Sequence, residues 1–442
     1  MAEQMKASGI AWIGDIPNDW SIKRIKYLAN LKGRIGWQGL TSDEYTDEGP
    51  FLITGIDFHN GRINWNSCVH ISESRWEEAP EIHIKNGDLL ITKDGTVGKV
   101  AIVDGLASKA SLNSGVLLIR TQPEYDKKFL FWVIQSEEFW RWFRLKNAGN
   151  STIIHLYQGD FAEFSYTFPR ISEQKAIADY LDKRCGEIDS IIADIEKQIE
   201  LLKQYKKSLI TETVTKGLDK SVPMKDSGIE WIGEIPSSWN VKKLKYICKR
   251  IGDIDHYMPD SVDEGIPYIM TGDFIGDEND IDFDNCKQVS LKDYLLLSNK
   301  IKVEYGDIIL ARYATIGVVR YVDTDRDFLV SYSCAIIKLF NDEMNSKYIF
   351  YYLKSSVFSE EIKEYINTNT QGNVGLDSIG RCRVTIPSMK DQAFIADYLD
   401  IECNKINAVI ETKQQQLELM QQHKKSLIYE YVTGKKRVKE AM

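Results

Sequence analysis

No stretch of this 442-residue chain approaches the ~20 consecutive apolar residues that a membrane-spanning helix needs. The opening MAEQMKASGI lacks a basic region followed by an apolar run, so no secretory signal is expected; the expectation is a soluble, cytoplasmic protein with no membrane contact. Seven cysteines lie scattered, form no C-x-x-C pair and do not cluster with the six histidines. That pattern argues against a disulfide framework and against a zinc site. Positive charge is in short supply: 56 Lys and Arg face 65 Asp and Glu, a net charge of −9. A protein so charged does not hold nucleic acid by bulk electrostatics alone, and partner subunits would have to neutralise many phosphates.

Signatures of chemistry are missing too. There is no G-x-x-x-x-G-K-[ST] loop, no Asn/Asp-Pro-Pro-aromatic tetrapeptide, no H-E-x-x-H and no G-x-S-x-G. "KDGTVGK" (Lys93–Lys99) has the texture of a phosphate cradle, but its counterpart "RYATIGV" (Arg312–Val318) puts Ala314 in place of the first glycine and lacks the final lysine. Both stretches read as the tips of strand–turn–strand hairpins. The chain reads as a reader, not a catalyst.

What is present is a duplication. "SGIAWIGDIPNDW" (Ser8–Trp20) returns as "SGIEWIGEIPSSW" (Ser227–Trp239), with nine of thirteen positions identical at an offset of 219 residues. "KRIKYL" (Lys23–Leu28) matches "KKLKYI" (Lys242–Ile247), and "GDLLITKDGTVGKVAIVD" (Gly87–Asp104) matches "GDIILARYATIGVVRYVD" (Gly306–Asp323). "QKAIADYLD" (Gln174–Asp182) matches "QAFIADYLD" (Gln392–Asp400), and "KKSLITETVT" (Lys206–Thr215) matches "KKSLIYEYVT" (Lys424–Thr433). Blocks in one order at nearly one offset make two tandem halves.

Each half opens with a mixed region of short β-rich runs and one amphipathic helix, expected over 127–145 and 346–366. After Pro169 or Pro387 a long helical stretch follows. Ile188, Ile192, Ile195, Ile199, Leu202, Lys206 and Leu209 are spaced alternately four and three apart; Ile406, Ile410, Lys413, Leu417, Met420, Lys424 and Leu427 repeat the pattern. These are heptad seams of about four repeats, interrupted by lysines. Two matched seams in one chain predict mutual antiparallel pairing, because the intervening domain must bring the chain back. The expected segments are a first mixed domain over 1–171, a helical spacer over 172–217, a second mixed domain over 218–389 and a second spacer over 390–442.

The stretches between repeated blocks have drifted. "GRINWNSCVHISESRWEEAPEIHIK" (Gly61–Lys85) faces "GDENDIDFDNCKQVSLKDYLLLSNKIKV" (Gly276–Val303), and "NAGNSTIIHLYQGD" (Asn147–Asp160) faces "NTNTQGNVGLDSIG" (Asn367–Gly380). A kept frame with drifted surfaces suggests two modules that read two different things.

The paired "SGIxWIGxIPxxW" openings, the basic "K-K/R-L/I-K-Y" that follows each, and the "Q-x-x-I-A-D-Y-L-D" and "K-K-S-L-I" helix blocks resemble the specificity (S, HsdS) subunit of type I restriction-modification systems, over essentially the whole chain. The resemblance implies two tandem α/β target-recognition domains held apart by an antiparallel coiled coil with pseudo-two-fold internal symmetry. It implies that each domain reads one half of a bipartite, asymmetric site on double-stranded DNA and that the helices act as a ruler. It implies docking of two modification (M) subunits, which carry S-adenosylmethionine for adenine methylation, and of restriction (R) subunits that use ATP and Mg. No cofactor belongs to this chain. One feature departs from a DNA-facing surface: residues 218–389 carry 20 basic against 27 acidic groups.

A helix over about Glu187–Val214 would run ~42 Å at 1.5 Å per residue, or ~12 base pairs of B-DNA. Base-edge reading draws on Arg, Lys, Asn, Gln, Ser and Thr, with Tyr or Trp filling the groove. The hairpin tips offer Lys93, Asp94, Thr96 and Lys99 in the first half and Arg312, Tyr313 and Thr315 in the second. Asn113 and Ser114, with Tyr332 and Ser333 opposite, begin the next strand; Asn60, Arg62, Arg75 and Asn150 sit in drifted segments. Trp12, Trp20, Trp231 and Trp239 are shared by both halves and so read as frame. Lys206, Lys207, Lys424 and Lys425 suit partner carboxylates, phosphates or solvent equally. Two other classes compete: a duplicated protein–protein scaffold that reads no DNA, and an enzyme, such as a nuclease, with an unrecognised site.

Overall fold

The computed structural model describes residues 4–34, 39–148, 154–276, 279–367 and 372–438. Two compact units divide the chain in a crossed manner: Met1–Glu196 with Gln415–Met442, and Lys197–Gln414.

In the first unit a four-stranded antiparallel sheet is built from β1 (Ala29–Gly33), β4 (Leu89–Thr92), β5 (Val100–Ile102) and β7 (Val116–Thr121), in the order β5-β4-β7-β1. Beside it β2 (Tyr45–Ile53) pairs antiparallel with β3 (Val69–Ile71) and parallel with β6 (Ala110–Leu112). "LLIT" carries no polar alternation because both its faces are covered. Leu89 and Ile91 enter the core under the helices, while Leu90 enters a second core beneath the three-stranded sheet. Each such fully buried side chain stabilises the unit by roughly 1.5–3 kcal/mol.

The helix expected over 127–145 is in fact two, α1 (Lys127–Gln135) and α2 (Glu137–Lys146). Buried Ser136 sits between them in extended conformation, its hydroxyl donating to the Val133 carbonyl at 2.6 Å. A serine able to satisfy that carbonyl inside the core breaks the helix without disturbing the apolar pattern, so periodicity alone misses the break. The long helix α3 (Ile171–Lys216) follows.

The second unit repeats this plan. Its four-stranded sheet runs β8 (Cys248–Gly252), β14 (Cys334–Leu339), β11 (Ile308–Ala311), β12 (Val319–Tyr321). Its smaller sheet places β9 (Ile266–Ile269) between β10 (Lys287–Val289) and the parallel β13 (Leu329–Val330). The helix expected over 346–366 again splits, into α4 (Ser346–Lys354) and α5 (Ser356–Lys363), at Ser355. The Ser355 hydroxyl donates to the Tyr352 carbonyl at 2.6 Å and accepts the Phe358 N–H. The second long helix, α6, is Met389–Val432.

The repeated blocks are the joints between helices and domains. Gln174 Oε1 accepts the N–H of Asp126, the N-cap of α1, and its Nε2 donates to the Pro169 carbonyl; Gln392 does the same for Asn345 and Pro387. Asp182 accepts from Lys128 at 2.7 Å and Trp132 Nε1 at 2.8 Å, and Asp400 from Lys347 and Tyr351. At the far helix ends, Thr167 Oγ1 donates to the Val432 carbonyl and Thr385 Oγ1 to that of Val214. These bonds occupy carbonyls that a helix end leaves without an intrahelical partner.

The thirteen-residue opening finds its purpose here. Gly217 and Gly434 follow the two long helices in left-handed conformation, at φ +71° and +73°. Gly217 lies against Trp239 and Pro236; Gly434 lies so close to Pro17 and Trp20 that an added Cβ would come within 2.5 Å of the proline ring. The "IPxxW" of each motif is the seat of a helix end. Trp20 and Trp239 are accordingly buried. Trp231 donates to Glu361 at 2.7 Å, and Trp12 is half-buried, so all four tryptophans belong to the frame.

Along the two long helices the seam positions are buried to different degrees. Ile188, Ile195, Ile406, Ile410 and Leu427 are buried, and Ile192, Ile199, Leu202, Leu209, Leu417 and Met420 are partly so. Within the first unit Tyr180 meets Tyr431 at 4.5 Å and Asp189 meets Lys424 at 2.5 Å; within the second, Lys206 donates to Asn407 at 2.8 Å. The rising and falling numbers make the pairing antiparallel. Lys206 and Lys424 therefore turn inward to the opposing helix, whereas Lys207 and Lys425 are exposed. A lysine whose stem packs along the seam can deliver its ammonium to a polar group across it.

Candidate nucleic-acid interface

In each unit three segments converge at the end of the central hairpin. In the first, the Lys93 N–H donates to the Gly115 carbonyl at 2.8 Å, and the Lys93 carbonyl accepts the Leu156 N–H at 2.9 Å. The tip 93–99, the turn 113–115 and the returning segment at 154–157 are thereby tied together. In the second unit the Arg312 N–H donates to the Ser333 carbonyl at 3.0 Å and the Arg312 carbonyl accepts the Val374 N–H at 3.0 Å. The stitching is the same, and apart from Thr96/Thr315 and Gly98/Gly317 the tip residues differ.

Both tips are hairpin turns. Gly95 and Gly98 are left-handed, at φ +68° and +83°; in the second unit Gly317 is left-handed and so is Ala314, at φ +52°. An alanine held there is strained by roughly 1–2 kcal/mol. Thr96 and Lys99 are exposed, as is Thr315, while Lys93 and Asp94 are half-buried. Asp94 accepts from His155. Asn113 Oδ1 accepts the Gly115 N–H at 2.9 Å and the Ser114 hydroxyl at 3.2 Å, closing the neighbouring turn.

The second tip is organised by Asp253, whose side chain is only 6% exposed. Arg312 is itself buried, with Nη1 3.3 Å from Asp253 and its guanidinium 5.0 Å from the Tyr313 ring. Lys300 reaches the same carboxylate at 3.1 Å and Asp255 at 3.2 Å. Burial pulls the Lys300 pKa down, but the bonds to the two aspartates outweigh it and leave the pKa raised. His256 stacks on Tyr332, ring centres 4.6 Å apart, with Nε2 3.4 Å from Asp253. Ser333 donates to Ser331 and lines the turn. Arg312 therefore lies beneath the tip, not on it. At the 219-residue offset Asp253 corresponds to Arg34, which is buried and donates to the Leu112 carbonyl and Ser111. Desolvation lowers its pKa.

The remaining candidates lie elsewhere. Asn60, left-handed at φ +48°, forms with Gly61 the turn of a small hairpin, Phe58–His59 with Arg62–Ile63. The Gly61 carbonyl accepts the Ile102 N–H, at the end of β5 remote from the tip. Asn60 is thus accounted for by turn geometry, and exposed Arg62 is not brought to the tip. Arg75 is held by Glu44 at 2.9 Å and by Glu78. Asn150 lies outside the described residues. His155, His256, Asp253 and Lys300 carry no sequence signal, since none belongs to a motif or to a matched pair.

Among the described residues no group of three or more His, Cys, Asp or Glu is placed to hold a metal ion, and no helix is long and apolar enough to cross a membrane. All seven cysteines are buried, and desolvation pushes Cys185, Cys248 and Cys334 up to about 12.

The model of the type I restriction modification DNA specificity domain matches residues 17–201 and again 236–419. The chain belongs to that family. A putative type I restriction enzyme MjaX specificity subunit of Methanocaldococcus jannaschii is 26% identical, over 97% of this chain and 96% of its own. The MjaVIII specificity subunit of the same organism is 25% identical over 96% and 94%. A chain from a structural study of complex assembly and conformational transition of the type I R-M system shares the fold, with a TM-score of 0.65 at 15% identity over 94% of this chain and 98% of that one. The type I specificity fold, two recognition domains in tandem with two long helices, is the architecture of this chain.

Proposed function

We propose that this specificity-family chain is the non-catalytic DNA-reading subunit of a type I restriction-modification complex, in which the domains 1–171 and 218–389 each read one half of a bipartite, asymmetric site. The helical spacers at 172–217 and 390–442 set the distance between half-sites and dock two modification subunits, to which restriction subunits add. Methyl transfer and cleavage belong to those partners, and the complex works in the cytoplasm.

One observation carries this reading. The joints at Gln174, Asp182 and Thr167 recur at Gln392, Asp400 and Thr385, while the convergent tips share backbone stitching and almost no side chains. A scaffold for two copies of one protein would keep its contact surfaces alike. A reader of two sequences keeps the mount and changes the contacts. The acidic balance of the second domain supports a division of labour in which partners supply phosphate neutralisation.

The chain co-purified with its modification subunits is the material for the test. Binding to random duplex should weaken steeply with salt, as phosphate contacts require. Selection from a duplex library with two randomised blocks at varied separation should return two different half-sites at one fixed spacing. A flat salt response with no selected motif would leave the scaffold reading in its place. DNA turnover by this chain alone with a divalent metal would overturn the non-catalytic assignment.

A further inference from the structure

The two recognition tips share a device that duplication did not supply. In the first unit His155 Nδ1 lies 2.5 Å from Asp94 Oδ1, both side chains more than a third exposed. In the second, His256 Nε2 lies 3.4 Å from Asp253 Oδ2, and the imidazole, 59% exposed, stacks on Tyr332 at an interplanar angle of 22°. Neither member is a repeat equivalent of its counterpart. At the 219-residue offset, Asp94 corresponds to Tyr313 and Asp253 to Arg34. The histidines come from a returning segment in one half and from the segment after β8 in the other. A frame contact would have been copied in place, as the Gln, Asp and Thr joints were. An incidental surface pair has no reason to settle beside the tip in both units.

We infer that His155 and His256 are specificity-determining side chains, each presented by its aspartate to a base edge of the half-site its domain reads. This rests on the DNA-reading function proposed above. The carboxylate takes the proton-bearing ring nitrogen and fixes which nitrogen is left outward, Nε2 in His155 and Nδ1 in His256. In the neutral ring that outward nitrogen is an acceptor. It matches the exocyclic amino group of adenine or cytosine in the major groove and mismatches guanine O6 and thymine O4. In the first unit the partly exposed Asp94 adds a second filter. A carboxylate at a DNA-facing tip repels phosphate, so the His155–Asp94 pair adds little to general affinity and penalises any register that brings the backbone onto the tip. Asp253, in contrast, is buried and its charge is met by Arg312 and Lys300.

The test is the same two-block library selection, with the chain in complex with its modification subunits, comparing wild type with His155→Leu and His256→Leu. His155→Leu should lower discrimination about tenfold at one or two base pairs of one half-site, as loss of a good base contact does, and leave the other half-site unchanged. His256→Leu should do the reverse. Affinity for random duplex and its salt slope should stay at wild-type values in both, which also reports an intact fold. His256→Gln, which keeps a polar end group, should shift base preference at those positions rather than abolish it. If wild type selects two half-sites and the leucine variants select the same bases with the same stringency, the inference is wrong. Loss of both half-sites together, or of random-duplex binding, would overturn it in favour of a structural role. A wild type that selects no bipartite site would sink the DNA-reading proposal itself.

Discussion

Glu138 is fully buried in the first unit, and neither carboxyl oxygen has a hydrogen-bond partner among the described residues. Desolvation drives its pKa well above the ordinary glutamate value, against a weaker pull from the Lys435 ammonium. A carboxyl raised in the folded state contributes its full share of stability only below its unfolded pKa of about 4.3, and that share is lost as pH climbs towards the folded value. Glu138→Gln removes the titration. Its thermal midpoint should match wild type near pH 4 and rise above it progressively towards pH 8; parallel curves across that range would refute the assignment. Nothing in the sequence marks Glu138 as buried, because it sits beside Glu137 in a stretch that reads as a charged helix start. The same limit hid the tips. His155 lies 61 residues from Asp94, and His256 is brought to Tyr332 only by the fold. Arg312, which its place at a hairpin tip offers as a base-reading candidate, is buried because Asp253 gives its charge an internal partner.

Among elements, the two long helices were the most legible. Their apolar spacing gave the seam, and a repeated seam gave the antiparallel partner. The interrupting lysines were visible, but their direction was not, since a lysine on a seam can point out as readily as across. Across the repeat the residue met on the opposing helix differs: Lys424 meets Asp189, while Lys206, only 7% exposed, donates to Asn407. Asp189 and Asn407 are equivalent positions, 218 residues apart. A buried ammonium gains more from a carboxylate than from an amide. Asn407→Asp should therefore raise the thermal midpoint, with a gain on the order of 1 kcal/mol. A lower midpoint would show that desolving the new carboxylate outweighs the attraction. The breaks at Ser136 and Ser355 mark the opposite limit, where a local hydrogen bond overrides a clean helical period.

At the scale of the molecule, the proposed ruler is open to direct measurement. Removing one heptad from both long helices shortens each by about 10.5 Å, equivalent to about three base pairs of B-DNA. Library selection with such a variant should return the same two half-sites at a shorter separation. An unchanged separation would show that the helices do not set it. Both deletions are needed, since removing seven residues from one helix alone would put Lys206 and Lys424 out of step with Asn407 and Asp189.

The closing of the first unit by Gln415–Met442 has a consequence for how the protein is made. Residues 197–414 must leave the ribosome before that closing strip exists, which at 5–20 residues per second takes about ten to forty seconds. During that interval the Pro17–Trp20 seat lacks the Gly434 turn that closes on it, and the long helix lacks Tyr431 and Lys424 opposite Tyr180 and Asp189. The portion translated first is thus the last to be sealed. A ribosome-stalled product ending before Gln415 should be cut within 1–196 by a protease that leaves the finished protein intact; equal resistance would mean that the portion seals itself.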